Sequence, residues 1–415
     1  MPDSLPQTLL TEELWAKEAD KYQLSTITLF HLQRYNSASK IGDPQYLSLK
    51  PIWKFNNHNQ FEAKDWDIQD IDKARKLLGS LPHWEKYLSL VHQRVPMDEI
   101  LPIDNALGDF KLIWYNQQMI QHLPQPESQA NSENNIDFTP VVPKMSDRLR
   151  GRPREMPSPH TPTPLNNNDE DALARHLEGL ILNLTPGESM GTPSVASDGA
   201  DWETPASQRT DPDYQHEAEE AETFPRVSDE NIVNSLLIGF ASSVTFSIEG
   251  VKCHWTEERK GFKVADDTGT KLYEARTDGH LFLSMNEDSK VIVEVKPATR
   301  ARCPRVRMQE TAQMVAWIHV ERDIIRDKVN DKFRRLLISQ NRHEIYLIIA
   351  EYDAEYVDYI TNPKRDKKCN SFIKMNEYGP WDISNRNQVE SIASIILAVT
   401  LQFSKGQGIH PTESA

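Results

Sequence analysis

An α/β architecture of the α+β kind, confined to the C-terminal half, is the fold class this sequence predicts. Three observations carry it. Residues 124–227 hold 14 of the 26 prolines, and 19 acidic residues against 8 basic ones, which sets this stretch apart from both flanks. Residues 228–404 switch between helical and strand periodicities in the order α-β-β-β-α-β, with further elements after it. Residues 1–123 show helical spacing, which predicts a separate, mainly α-helical N-terminal domain. A length of 415 residues fits two or three folded parts.

In the N-terminal part, residues 70–78 and 82–91 read as short helices. Residues 101–123 place Ile103, Leu107, Phe110 and Trp114 at helical spacing, with Ile113 and Ile120 beside that face. No catalytic constellation stands out, and Trp84, Tyr87, Trp114 and Tyr115 read as core. The segment 124–227 has stretches such as TPTPLNNNDED that lack any apolar period, so it reads as a disordered acidic linker. Within it, residues 171–184 have the spacing of a short amphipathic helix.

The C-terminal domain, 228–415, begins with a helix that Ser228 caps and that runs to residue 245. Asp229 and Glu230 lie in its first turn, where the helix dipole favours acids. Ile232, Val233, Leu236, Leu237, Phe240 and Val244 form its apolar face. Strands follow at 261–266 (extending through 271–276 after a turn at 267–269), 278–283 and 291–296, the last two joined by the turn NEDS at 286–289. A helix at 305–325 leads to the apolar run IYLIIA at 345–350, read as a strand buried on both faces. The connection through that helix reads as a right-handed parallel crossover. A final helix covers 389–403.

The chain begins without the basic start and apolar stretch of a signal peptide, and no apolar run is long enough to cross a membrane. Cys253, Cys303 and Cys369 form no CxxC pair, which argues against a disulfide framework or a four-cysteine metal site and points to a reducing intracellular compartment. The net charge of −15 would discourage a polyanionic partner, but the linker carries −11 of it. Residues 228–415 have 27 acidic and 26 basic residues and do not oppose nucleic acid.

The chemistry concentrates in DGHLFLSMNEDSKVIVEVK, residues 278–296. Alternation puts Ile292, Glu294 and Lys296 on one strand face. A turn near Glu287 sets Asp278 opposite Lys296, so that two carboxylates and an ammonium converge. Such a group suits a hard divalent cation and an activated water, the parts that phosphodiester hydrolysis needs. Other acid-x-Lys triplets occur at Glu62, Asp109, Glu258, Asp288 and Asp366, but the Glu294 copy lies in an alternating β-branched run. A solvated surface hairpin is the plain alternative.

Asp278 followed by Glu294-Val295-Lys296, in an αβββαβ order, resembles the PD-(D/E)XK nuclease superfamily, with its restriction-endonuclease-like fold. More narrowly, TDGHLF, VIVEVKPATR, RMQETAQMVAWI, ISQNRHEIYLIIAEYDAEYVDYI and EYGPWDI resemble a group of uncharacterised fungal proteins with this domain. Thr277 stands where the family name implies proline. The resemblance implies Asp278 and Glu294 as ligands of Mg²⁺, or of Mn²⁺, and Lys296 beside the attacking water. It also makes Gln309 the first candidate for orienting water or substrate on the following helix, and Gln313 the second. Glu230 matches an extra acidic ligand of some members, although the helix dipole explains it equally.

Arg300, Arg302, Arg305 and Arg307 lie just after Lys296 and suit phosphate oxygens, or form a solvated basic loop. Arg150 and Arg152 belong to RGRPR, which resembles an AT-hook core for the minor groove of A·T-rich DNA, or a chance match in a Pro-rich linker. The run at 364–368, KRDKK, fits a nuclear import signal or a charged loop. His254, His280, His319 and His343 lack metal-ligand spacing. The sequence therefore predicts a magnesium-dependent nuclease acting on DNA rather than RNA, nuclear rather than cytoplasmic. The alternative is a catalytically inactive nuclease fold that binds DNA or protein.

Overall fold

The computed structural model describes residues 9–24, 28–32, 34–123, 226–285, 287–323, 332–365 and 369–409, the side chains of 226–229 excepted. Its elements in chain order are α1 (Glu12–Lys21), α2 (Asp43–Ser48), β1 (Pro51–Asn56), α3 (Ile71–Gly79), α4 (Trp84–Leu90) and α5 (Lys111–His122). After residue 225 come α6 (Arg226–Ser243), β2 (Cys253–Thr256), β3 (Gly261–Ala265), β4 (Lys271–Arg276), β5 (Gly279–Leu283) and β6 (Ser289–Lys296). The chain continues with α7 (Val306–Val320), β7 (Lys332–Asn341), β8 (Glu344–Asp353), α8 (Ala354–Thr361), β9 (Ile373–Asp382) and α9 (Arg386–Ser404). Short 3₁₀ turns lie between several of these.

Seven strands form one mixed sheet in the order β1-β9-β8-β7-β6-β5-β2, and β3 and β4 form a separate hairpin. The expected α/β class holds, with two corrections to its layout. The N-terminal part is not a separate domain: β1 pairs in parallel with β9, Pro51 opposite Ile373, and residues 9–123 and 226–409 belong to one compact unit. The physical reason is burial. One face of the sheet is covered by a core that mixes Trp84, Tyr87, Phe110 and Ile113 with Val233, Phe240, Val293 and Ile396. The opposite face mixes Trp15, Tyr46 and Trp53 with Ile292, Val315, Trp317 and Ile348. Neither core closes without both ends of the chain.

The second correction concerns the crossover. The strand parallel to β6 is β7, residues 332–341, with Val291 opposite Leu336 and Lys296 opposite Asn341. The run at 345–350 lies in β8, antiparallel to β7. Two arginines hid β7 from the sequence pattern. Arg334 is neutralised by Asp67 at 3.1 Å and Glu351 at 3.2 Å, and Arg335 by Asp323 at 3.1 Å. The turn expected at 267–269 separates β3 from β4, which pair across it, and Asp266 accepts from the N–H groups of Thr268 and Thr270 there. The short β2 is an addition to the expected order.

The first helix of the C-terminal half starts at Arg226, so Ser228 lies within it rather than capping it, and the linker ends earlier than 227. The other helices sit close to their expected bounds, although α7 stops at Val320 and α5 starts at Lys111 after a 3₁₀ turn. The remaining linker, with the RGRPR motif and residues 171–184, lies outside the described residues, as do 366–368 of the basic run. Among the described residues, no helix is long and apolar enough to cross a membrane.

Between β7 and β8 the chain turns in two residues, Arg342 and His343, since Asn341 pairs with Glu344. Arg342 adopts a left-handed φ of 59°. Such turns favour asparagine and glycine, and a side-chain-bearing residue there costs about 1 kcal/mol.

Candidate metal centre

Strand β6 crosses the middle of the sheet, and its alternation sorts its side chains between the two cores. Val291, Val293 and Val295 enter one core and Ile292 the other. Glu294 and Lys296 share the parity of Ile292. In β5, Gly279 pairs with Val293, and the Asp278 N–H donates to Val293 O at 3.0 Å. Asp278 thus falls one step along, beside Glu294, rather than opposite Lys296 as expected. The reason is where the hairpin turns: Phe282 pairs with Ser289, which centres the turn before Glu287, and the register shift between Leu281 and Phe282 restores only one residue of the difference.

Gly279 makes the approach possible. A Cβ there would lie 2.5 Å from Thr256 O and 2.8 Å from Ile238 Cδ1. Helix α6 therefore packs tightly over the start of β5, and its first turn reaches the strand ends. Asn234 Nδ2 donates to Asp278 O at 2.8 Å. Glu230, one turn earlier, brings a third carboxylate.

Glu230, Asp278 and Glu294 each offer a carboxylate oxygen, and the three atoms lie within 4.8 Å of one another. All are buried, Glu294 completely and Asp278 to 8% exposure. Lys296 Nζ bridges two of them, at 2.5 Å from Glu294 Oε1 and 3.1 Å from Glu230 Oε1. Asp278 Oδ2 accepts from the Val295 N–H at 2.9 Å, and its Oδ1 faces Arg259 Nη2 at 3.5 Å. From α7, Gln309 Nε2 donates to Glu294 Oε1 at 2.6 Å. Gln313 Nε2 donates to Glu294 Oε2 at 2.5 Å and to Arg276 O at 2.8 Å. Gln309 and Gln313 lie four residues apart on one helix face, and both converge on the same carboxylate.

Burial pushes the Glu294 carboxyl well above the usual carboxylate range, and Asp278 and Glu230 add to the rise against the pull of Lys296. Burial raises Glu230 too, with Asp278 adding to it and Lys296 opposing. For Lys296 burial alone would lower the value, but Glu294, Glu230 and Asp278 together overcome it and hold the ammonium above its ordinary range. Three carboxylates around one ammonium leave excess negative charge in a dry site, and uncompensated buried charge costs several kcal/mol. A proton or a divalent cation relieves it. The donor set suits the cation: hard oxygens at spacings close to the roughly 4 Å that separates opposite ligands around Mg²⁺. Two further amide oxygens, Asn234 Oδ1 and Gln313 Oε1, are buried there without a hydrogen-bond partner.

No family model matches the chain, and no curated protein or solved structure matches it. The site's chemistry therefore rests on its own geometry.

The arginines expected to contact phosphate divide. Arg300 is buried and is consumed by the fold: it pairs with Glu310 at 2.5 Å and Glu377 at 2.9 Å, donates to Asn341 Oδ1 at 3.1 Å, and stacks 4.2 Å from the Tyr346 ring centre. Arg307 is held by both oxygens of Glu377, at 2.8 and 2.9 Å. Neither guanidinium is presented to a ligand. Arg302 and Arg305 are exposed. Arg150 and Arg152 lie outside the described residues. His280 contacts Ser289 Oγ at 3.1 Å and does not join the carboxylates. Lys364 and Arg365 are paired with Asp267 and with Glu355 and Asp358.

Sequence reasoning missed Arg259 and Asn234 at this site. The spacing of Asn234, four residues after Glu230 on one helix, was an available signal. Arg259 carried none, because it lies in the loop after β2.

Proposed function

We propose that this chain is a metal-dependent nuclease of the restriction-endonuclease-like kind, hydrolysing phosphodiester bonds in DNA. One observation carries the reading: carboxylates from α6, the start of β5 and β6 meet within 4.8 Å around the Lys296 ammonium. Bound Mg²⁺ or Mn²⁺ supplies Lewis acidity, neutralising charge at the scissile phosphate and making a water more acidic. Asp278, Glu294 and Glu230 hold the cation. Lys296 keeps its proton and places positive charge where the pentavalent phosphate gains negative charge. Gln309, half-buried and 2.6 Å from Glu294, orients that carboxylate and offers its amide oxygen to a water or substrate hydroxyl. Gln313 locks the other carboxylate oxygen.

A second reading, a binding module without turnover, is favoured by the closure of the site, since Glu294 has no exposed surface and Lys296 already compensates part of its charge. The two readings diverge in one experiment. Purified protein is incubated with supercoiled plasmid in Mg²⁺ or Mn²⁺, beside Glu294→Ala and an EDTA control. Nicking by wild type alone, abolished by EDTA, is the expected result. Equal retardation of plasmid by both proteins without cleavage would replace the nuclease reading with the binding module.

A further inference from the structure

A separate cleft of about 290 Å³ has His92, Arg94, Arg342 and His343 in its walls and no aspartate or glutamate. It opens at the strand ends where the carboxylates lie. The Arg342 N–H donates to Lys296 O at 2.8 Å, one residue beyond the last β6–β7 pair.

Buried glutamines of α5 hold the segments that line it. Gln118 has no exposed surface, accepts from the Val95 N–H at 2.9 Å and donates to Gln93 O at 2.8 Å, so it brackets Arg94. Gln117, equally buried, ties Val91 O at 2.6 Å to Ile383 O at 2.9 Å, joining one wall to the other. His122 Nε2 meets Val95 O at 2.6 Å. The loop is thus held in one shape with the exposed Arg94 at its tip, and no described acidic residue pairs with that guanidinium. Across the cleft, the two-residue turn keeps an arginine in left-handed backbone where glycine or asparagine would be easier. The Arg342 guanidinium is buried and donates to Leu123 O.

We propose that this cleft holds a backbone phosphate of a nucleic-acid strand and leads that strand toward the carboxylates. The exposed Arg94 guanidinium, which no described acidic residue pairs, suits a phosphate oxygen, and a fixed loop loses little freedom on binding. The choice of a strand over a free phosphate rests on the nuclease reading.

The test is anisotropy of a short fluorescein-labelled DNA duplex in EDTA over a salt series, so that turnover plays no part. Arg94→Ala is expected to weaken binding several-fold at low salt and to reduce the slope of log K against log salt by about 0.9, the share of one phosphate contact. Arg94→Lys should keep the slope. Lys17→Ala, which removes one exposed charge from α1, should bind as wild type. Unchanged affinity and slope in Arg94→Ala would overturn the proposal, as would failure of wild type to bind duplex. Capture of inorganic phosphate at the cleft without duplex binding would overturn the strand and assign a free anion. Plasmid nicking in Mg²⁺ is scored separately: loss of duplex binding in Arg94→Ala with no nicking by wild type retires the nuclease and leaves the cleft.

Discussion

Lys296 Nζ lies 3.1 Å from Glu230 Oε1, joining a central strand to a helix turn 66 residues earlier in the chain. The same ammonium neutralises Glu294 two residues behind it. Removing the lysine leaves buried carboxylates unpaired. Lys296→Met is expected to cost about 3–5 kcal/mol in urea unfolding without metal. The double variant Glu294→Gln/Lys296→Met should recover part of that loss. Additive losses would mean that the two groups are not coupled.

A cation that binds the folded carboxylates and not the unfolded chain must raise stability. Mn²⁺ at a hundredfold excess over its Kd should stabilise wild type by about 2.7 kcal/mol. Asp278→Asn and Glu294→Gln should lose that increment while still melting cooperatively. Thermal melts with and without EDTA read it directly. An identical Mn²⁺ shift in wild type and both variants would place the cation elsewhere.

The fate of Arg300 separates a structural arginine from a ligand-binding one. Its loss strands Glu310 in the interior and leaves Glu377 to Arg307 alone, so Arg300→Ala is expected to cost about 3–5 kcal/mol. Arg302→Ala and Arg305→Ala, both at exposed positions, should stay within about 0.5 kcal/mol of wild type. Equal, small effects at all three would remove the buried network.

His319 gives a pH signature away from the carboxylates. Its Nδ1 donates to Ile360 O at 2.8 Å, and its Nε2 accepts from the Ala265 N–H at 3.5 Å. Burial lowers its pKa below the ordinary 6.5, partly opposed by the Ile360 carbonyl. The unfolded chain therefore takes up a proton near 6.5 while the folded chain does not. This contribution is complete above that pH and is lost as pH falls below it, at no more than about 1.4 kcal/mol per pH unit. His319→Gln should flatten that part of the stability profile, measured by urea midpoints. An unchanged slope would mean that His319 is protonated in the fold.

Much of the local order is legible in the sequence because it is written in nearby residues. The alternation of 291–296 and the apolar face of α6 are examples, and Val233, Leu236, Leu237, Phe240 and Val244 are all buried. What escapes depends on partners far along the chain. Glu230 reads as a helix-dipole residue until α6 is laid over β5. Arg300 reads as a phosphate contact until Glu310 and Glu377 close on it. The asparagine at 341 and the arginines of β7 look polar for a central strand, and only the folded sheet supplies their partners. The bulge at Leu281 likewise changes which residue faces Asp278 without any change in pattern.

The pairing of β1 with β9 also has a consequence for synthesis. Lys50 Nζ bonds Cys369 O at 2.9 Å, and the two residues are 319 positions apart. On the ribosome, the N-terminal helices and β1 emerge long before the strand they need exists. Their apolar faces must wait, shielded by local collapse or a chaperone, until almost the whole chain has been made. Translation beyond β9 is then the event that completes the molecule. A truncated product ending after β8 would leave the outer strand without its neighbour and the first hundred residues exposed to aggregation.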